Sequence, residues 1–201
     1  EQAAMVSIRH KHTVAKVNLP DELSGTQAMG TLAWDVGGQT SSIASVSSEE
    51  RGSLISDPHS AYLIGPNGIG PNGIGAGSDS TTDGNERLLV MNLNNSDHSG
   101  VGEQPEGVLA NVDTFGGSAS EYWRYTPEEA IMSPFLGMAK LVDDQVLTTY
   151  TLYGQTDLSQ FEEDEDGNLV QEGSPVWRTK VETGWVTGFG DHTTDYPAAG
   201  H

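Results

Sequence analysis

The chain has 201 residues, no Cys, and 29 Asp and Glu against nine Lys and Arg, a formal net charge of −20. The missing cysteines exclude disulfides, Cys-ligated zinc, iron–sulfur clusters and thiol nucleophiles, and the anionic excess argues against nucleic acid as a partner. The length allows one sizeable core and is small for two, so one main domain with extensions is expected.

So much like charge repels itself in dilute buffer, whereas at molar salt the Debye length falls to about 3 Å and the repulsion is screened. An acidic disordered segment is the other source of such a charge, but four Trp, six Tyr and many Val, Leu and Ile stand in periodic runs, which points to a packed core. The composition is that of a protein suited to brine. Its longest apolar stretches fall far short of the ~20 residues that span a bilayer. The start Glu1-Gln-Ala-Ala has no basic-then-apolar signal pattern, so a soluble or peripheral protein is expected.

From the N-terminus, Val6, Ile8, His10, His12 and Val14 alternate as one strand face. Val17 and Leu19 then change phase around Ala15 and Lys16, which predicts a bulge or bend. Arg9, Lys11 and Lys16 are three of the nine basic side chains. In so acidic a chain this asymmetry marks residues 1–20, a basic arm or first strand, as a docking surface. An acidic neighbouring subunit is preferred to an anionic lipid layer, whose attraction fades in brine. His10 and His12, joined by a distant carboxylate, would make the metal site of a small-barrel enzyme. No Glu follows at the short spacing a cupin-type metal motif needs, so a locally basic strand is the preferred reading.

Leu32, Trp34 and Val36 alternate with Thr31, Ala33 and Asp35 as a pleated strand should, and Ser60–Ile64 follows as another. Gly65-Pro-Asn-Gly-Ile69 is then repeated unchanged as Gly70-Pro-Asn-Gly-Ile74. Pro presets φ and Asn-Gly supplies positive φ, so the repeat predicts two successive turns in a long surface loop. A phosphate loop is the alternative, but no Gly-Lys-Ser/Thr follows. Arg87–Leu93, Val108–Phe115 and Glu121–Tyr125 are further strands, separated by a polar connection over Asn94–Gln104 and a short flexible one over Gly116–Ser120. Thr126-Pro-Glu-Glu129 carries a capping-box pattern for one or two helical turns, ended by Pro134 and Gly137.

Val146, Thr148, Tyr150 and Leu152 alternate with Leu147, Thr149, Thr151 and Tyr153 as one long strand. Glu162-Glu-Asp-Glu-Asp166 precedes an Asp-Gly turn. Its spacing fails the calcium-loop pattern, so a hairpin tip that condenses cations weakly is preferred to a metal site. Over Pro175–Trp185, Trp177, Thr179, Val181, Thr183 and Trp185 line one face while Arg178, Lys180 and Glu182 line the other, as in a half-exposed antiparallel strand. With eight or more short strands, turn-rich links and little helix, the fold class is all-β, a jelly roll or β-sandwich of about eight antiparallel strands with long loops. A meandering barrel is the competitor.

No Gly-x-Ser-x-Gly elbow, marked histidine base or singled-out carboxylate pair is present, so no catalytic, cofactor or metal residues are assigned and no enzyme is expected. The stretch Glu121-Tyr-Trp-Arg-Tyr125-Thr-Pro-Glu-Glu129, then Ile131–Val142, then Asp143-Asp-Gln-Val-Leu-Thr-Thr-Tyr-Thr-Leu-Tyr-Gly154 resembles the closing part of a viral jelly roll. It is similar to the small vertical single-jelly-roll major capsid proteins of internal-membrane icosahedral viruses that infect halophilic archaea. The resemblance implies a virion subunit that stands on the internal viral membrane and forms capsomers with copies of itself and a sister capsid protein. It divides the chain into a basic arm or first strand at 1–20, a jelly-roll core at 21–155 and a C-terminal hairpin or arm at 156–201 that could reach a neighbour. The rival is an extracellular or cell-surface β-sandwich that presents Trp123, Tyr125, Trp177 and Trp185 to glycans, although aromatics at alternating strand positions more often form core.

Overall fold

The computed structural model describes residues 3–20, 30–45, 53–64, 69–70, 73–74, 84–94, 104–131, 136–143, 145–163, 169–171 and 175–181. Over these residues the chain is nearly all β, in antiparallel sheets with a sandwich-like arrangement. The first sheet holds β1 (Ala3–Ile8), β2 (Thr13–Asn18) and β3 (Thr31–Gly37). The single strand expected through Val6–Val14 is instead a hairpin, because a 3-10 turn at Arg9–Lys11, closed by His12 in the left-handed region (φ 51), reverses the chain. Reversal lets the two halves satisfy each other's backbone N–H and C=O groups, which one long strand would leave open along an edge. The phase change expected at Ala15 and Lys16 is a register shift between Lys16 and Val17 against β3.

The central sheet runs β4 (Ala44–Ser45), β10 (Ser118–Tyr125), β9 (Glu106–Asp113), β8 (Asn85–Asn92), β5 (Pro58–Ile64), with only β4 parallel to its neighbour. A third sheet holds β11 (Gly137–Val142), β12 (Gln145–Tyr150) and β13 (Gln155–Glu163), with β14 (Leu169–Gln171) and β15 (Trp177–Lys180) both paired to β13. A small hairpin, β6 (Ile69–Gly70) with β7 (Gly73–Ile74), brackets the second Pro-Asn pair of the repeat. The Pro-Asn pairs themselves, at 66–67 and 71–72, lie outside the described residues.

The central sheet is covered on both faces. On one, Leu88, Val90, Val108, Ala110 and Val112 pack against Val14, Trp34 and Val36 of the first sheet. On the other, Leu89, Met91 and Leu109 pack with Ala139, Val146 and Tyr150 of the third. The unbroken run Leu88-Leu-Val-Met91 is therefore the pattern of a strand buried on both sides, each such side chain contributing roughly 1.5–3 kcal/mol. A bulge in β10 directs its aromatics: Glu121 stands opposite Ala110, but Trp123 stands opposite Leu109. The extra residue turns Trp123 and Tyr125 toward the third sheet.

Several expected boundaries move. Phe115 sits in the turn between β9 and β10, 76% exposed, where the Asp113 carboxylate accepts from the Phe115 and Gly116 amides. Ser118–Ser120 belong to β10 rather than to a flexible link, because that carboxylate tightens the turn so early. Thr126–Ile131 forms no helix; the Thr126 hydroxyl bonds to Glu106 at 3.3 Å instead of capping a first turn. The strand expected to reach Tyr153 stops at Tyr150, and a 3-10 turn ending at Gly154 (φ 70) sends β13 back along β12. Glu162 and Glu163 pair with Val170 and Leu169 in a hairpin, whose acidic tip at 164–168 lies outside the described residues, as do 95–103 of the polar connection and 182–185 of the last expected strand.

Candidate functional site

The three basic residues singled out in the sequence do not form one patch. Arg9 and Lys11 sit in the turn between β1 and β2, half-buried and exposed respectively. Lys16 lies mid-strand and forms an ion pair with Glu86 of β8, whose second oxygen accepts from Trp34 Nε1 at 3.0 Å. It ties the first sheet to the central one. His10 and His12 straddle the turn and share no strand face. His12 Nδ1 accepts from the Asp57 amide at 3.1 Å, with the buried Asp57 carboxylate 3.6 Å away. Among the described residues, no group of three or more His, Asp or Glu is placed to hold a metal ion.

The hairpin also changes what the first sheet shows to solvent. Ser7, not Val6 or Ile8, stands opposite the buried Val14, and Val17 stands between Ala4 and Leu32. Val6, Ile8 and Leu32 consequently lie on the outer face, 41%, 42% and 60% exposed. Alternation across an unbroken strand would place Val6 and Ile8 on the same face as Val14. The turn at Arg9–Lys11 is the reason they are not.

The most constructed polar site is at Asp157. In β13 Gln155, Asp157 and Ser159 point inward, opposite Tyr150, Thr148 and Val146 of β12, and Asp157 is fully buried. Its carboxylate accepts from Tyr125 Oη at 2.8 Å, from Gln155 Nε2 at 2.9 and 3.1 Å, and from a two-pronged Arg178 at 2.8 and 3.1 Å. Burial, then the neighbouring Asp157 charge, pushes the Tyr125 phenol well above its usual range. Burial raises Tyr150 likewise. The hydrogen bonds to Asp157 hold Arg178 more firmly protonated than usual, outweighing partial desolvation. With Tyr125, Gln155 and Arg178 all donating to the carboxylate, Asp157 is set to hold a guanidinium.

Around this socket Trp123 Nε1, Thr148 Oγ1, Tyr150 Oη and Gln155 Oε1 are buried without a hydrogen-bond partner among the described residues. A second buried network binds Arg124 to Glu106 and Glu121; burial opposes the charge of Arg124, and the two carboxylates outweigh it. Sequence reading missed Asp157. The sequence carries only half of it: Gln155, Asp157 and Ser159 alternate as one strand face and Arg178 stands in a cationic strand pattern, but nothing in the sequence pairs the two.

No family model, curated protein or solved structure matches this chain. Among the described residues no helix is long and apolar enough to cross a membrane.

Proposed function

We propose that the chain is a structural subunit of an icosahedral virion shell, assembling with copies of itself and a sister capsid protein in high salt. The observation that carries this reading is the set of partly exposed apolar side chains on the outer face of the first sheet, Val6, Ile8 and Leu32. An apolar patch on a well-formed sheet stays soluble by finding a protein partner. Lys11, exposed in the turn at the end of that sheet, offers a cation to a neighbour whose net charge is −20. Charge of that size opposes association in dilute buffer and ceases to do so when salt screens it. On this reading the protein acts in the virion, beside an internal membrane, and performs no catalysis.

The alternative, an extracellular glycan-binding sandwich, needs its aromatics in the open. Trp123 and Tyr125 are 2% and 1% exposed and stack within the core, ring centroids 6.2 Å apart, while Trp177 is 49% exposed and Trp185 lies outside the described residues. The test is the double variant Ile8→Asp, Leu32→Asp. The proposal expects it to fold with native far-UV circular dichroism yet lose association in ~2–3 M salt. Undiminished association would remove the outer face from the account.

A further inference from the structure

We propose that the Asp157 socket is a receptor for an arginine-bearing β-strand, and that in the assembled shell it takes Trp177–Lys180 from a neighbouring copy; this rests on the assembly reading above. The body of the fold builds the socket without β15. Tyr125 from β10 and Gln155 from β13 already donate to the buried carboxylate, which leaves it open toward the fork of Arg178. A buried carboxylate stripped of its cation is strongly unfavourable, so the socket requires a guanidinium. Its geometry is indifferent to which chain supplies one.

β15 docks as a separate unit. β14 pairs 169–171 with 163–161 and β15 pairs 177–180 with 158–155, so five residues, 172–176, separate the two strands in sequence where two, 159–160, separate their partners on β13. The strand is held by polar anchors. Arg178 enters the socket, Lys180 reaches Tyr153 Oη at 3.0 Å and Glu129 at 3.7 Å, and the Val181 amide donates to Gly154 at 2.9 Å. Its apolar side chains are not what holds it. Val176, Trp177 and Val181 remain 46%, 49% and 37% exposed, so docking on its own chain leaves the strand's one large aromatic in water.

An identical strand from a second copy makes the same contacts, which is why exchange of an element is a low-cost route to association. It also brings Val176, Trp177 and Val181 to the boundary between two copies. Charge favours the match, since the cationic pair Arg178 and Lys180 meets the acidic pair Asp157 and Glu129. The Asp157 contact is buried, so it outlasts the salt that screens surface pairs.

The chain has no cysteine of its own, which makes directed crosslinking clean. Thr156 and Thr179 are direct partners across β13 and β15, within the reach of a disulfide. Single variants Thr156→Cys and Thr179→Cys would be refolded together in ~2–3 M salt, oxidised, and compared with Thr179→Cys mixed with the out-of-register Gln160→Cys. Exchange predicts a covalent heterodimer several-fold more abundant than in the control, and its loss when Arg178→Ala is added to the Thr179→Cys chain. If light scattering records association but mixed singles give no heterodimer above control, while the double variant Thr156→Cys, Thr179→Cys closes within one chain, exchange is overturned and assembly stands. No association and no heterodimer overturns both.

Discussion

The two faces of the central sheet are buried to the same depth by different chemistry. Toward the first sheet the interior is mainly aliphatic, Leu88, Val90, Val108, Ala110 and Val112 against Val14, Trp34 and Val36, with the Lys16–Glu86 pair at the rim and one buried carboxylate, Asp57, at the edge beside His12. Toward the third sheet Leu89, Met91 and Leu109 share the space with Tyr125, Tyr150, Gln155 and Asp157. An aliphatic interface specifies area and volume and tolerates repacking. A polar one specifies partners, since each buried group costs free energy unless a particular neighbour meets it. The first face should hold the fold together, and the second should decide which strand is allowed to dock.

That contrast breaks hardest at Asp157. Asp157→Ala leaves the Arg178 guanidinium, Tyr125 and Gln155 without their acceptor and should lower stability by about 3–5 kcal/mol, read as the shift of a denaturant midpoint at constant salt. On the aliphatic face Leu88→Ala should cost about 2–5 kcal/mol, with the loss set by how far the cavity collapses. The difference between them lies in rescue. Val or Met at Leu88 should recover most of the loss, whereas no isosteric replacement at Asp157 should recover any substantial part.

The tyrosines sharpen the comparison through pH. An unfolded tyrosine releases its proton near pH 10, while burial, then nearby charge, keeps Tyr125 and Tyr150 protonated to higher pH in the fold. Above pH 10 the folded state therefore binds more protons than the unfolded one, so stability falls as pH rises, by about 1.4 kcal/mol per pH unit for each such group. Below pH 10 their contribution is fully present and flat. Tyr150→Phe should flatten the alkaline slope while leaving neutral stability little changed, as measured by chemical denaturation across the alkaline range.

Smaller effects follow at the rims. Thr148 Oγ1 is buried without a partner, so Thr148→Val, which keeps the shape and removes the hydroxyl, should be neutral or stabilising by up to about 1 kcal/mol. Lys16 and Glu86 are each one-fifth exposed, and Lys16→Met should cost no more than about 1 kcal/mol, less in brine. A large loss at Thr148 or at Lys16 would reverse the assignment of roles to the two faces.

The strand content, the bulge beside Lys16 and the hairpin around the acidic run were legible because period-two alternation and turn residues are local signals. The doubly covered central sheet was visible only in hindsight, in the unbroken Leu88–Met91 run, because an apolar run does not say what covers each side. The hairpin at Arg9–Lys11 was hidden since alternation runs straight through it, without Gly, Asn or Pro at the reversal. The Asp157 socket was hidden for a different reason. Its members come from β10, β13 and β15, and only the sheet register brings Arg178 opposite Asp157. Trp177 and Arg178 also exchange their expected roles, the tryptophan outward and the arginine inward, because the strand docks over a buried charge.

The central claim is that this acidic, β-rich chain is an assembling subunit. Light scattering of the full chain in ~2–3 M salt, where screening is nearly complete, and again after dilution, tests it most directly. The account predicts a multi-subunit species in brine that dissociates on dilution; a monomer under both conditions would contradict it.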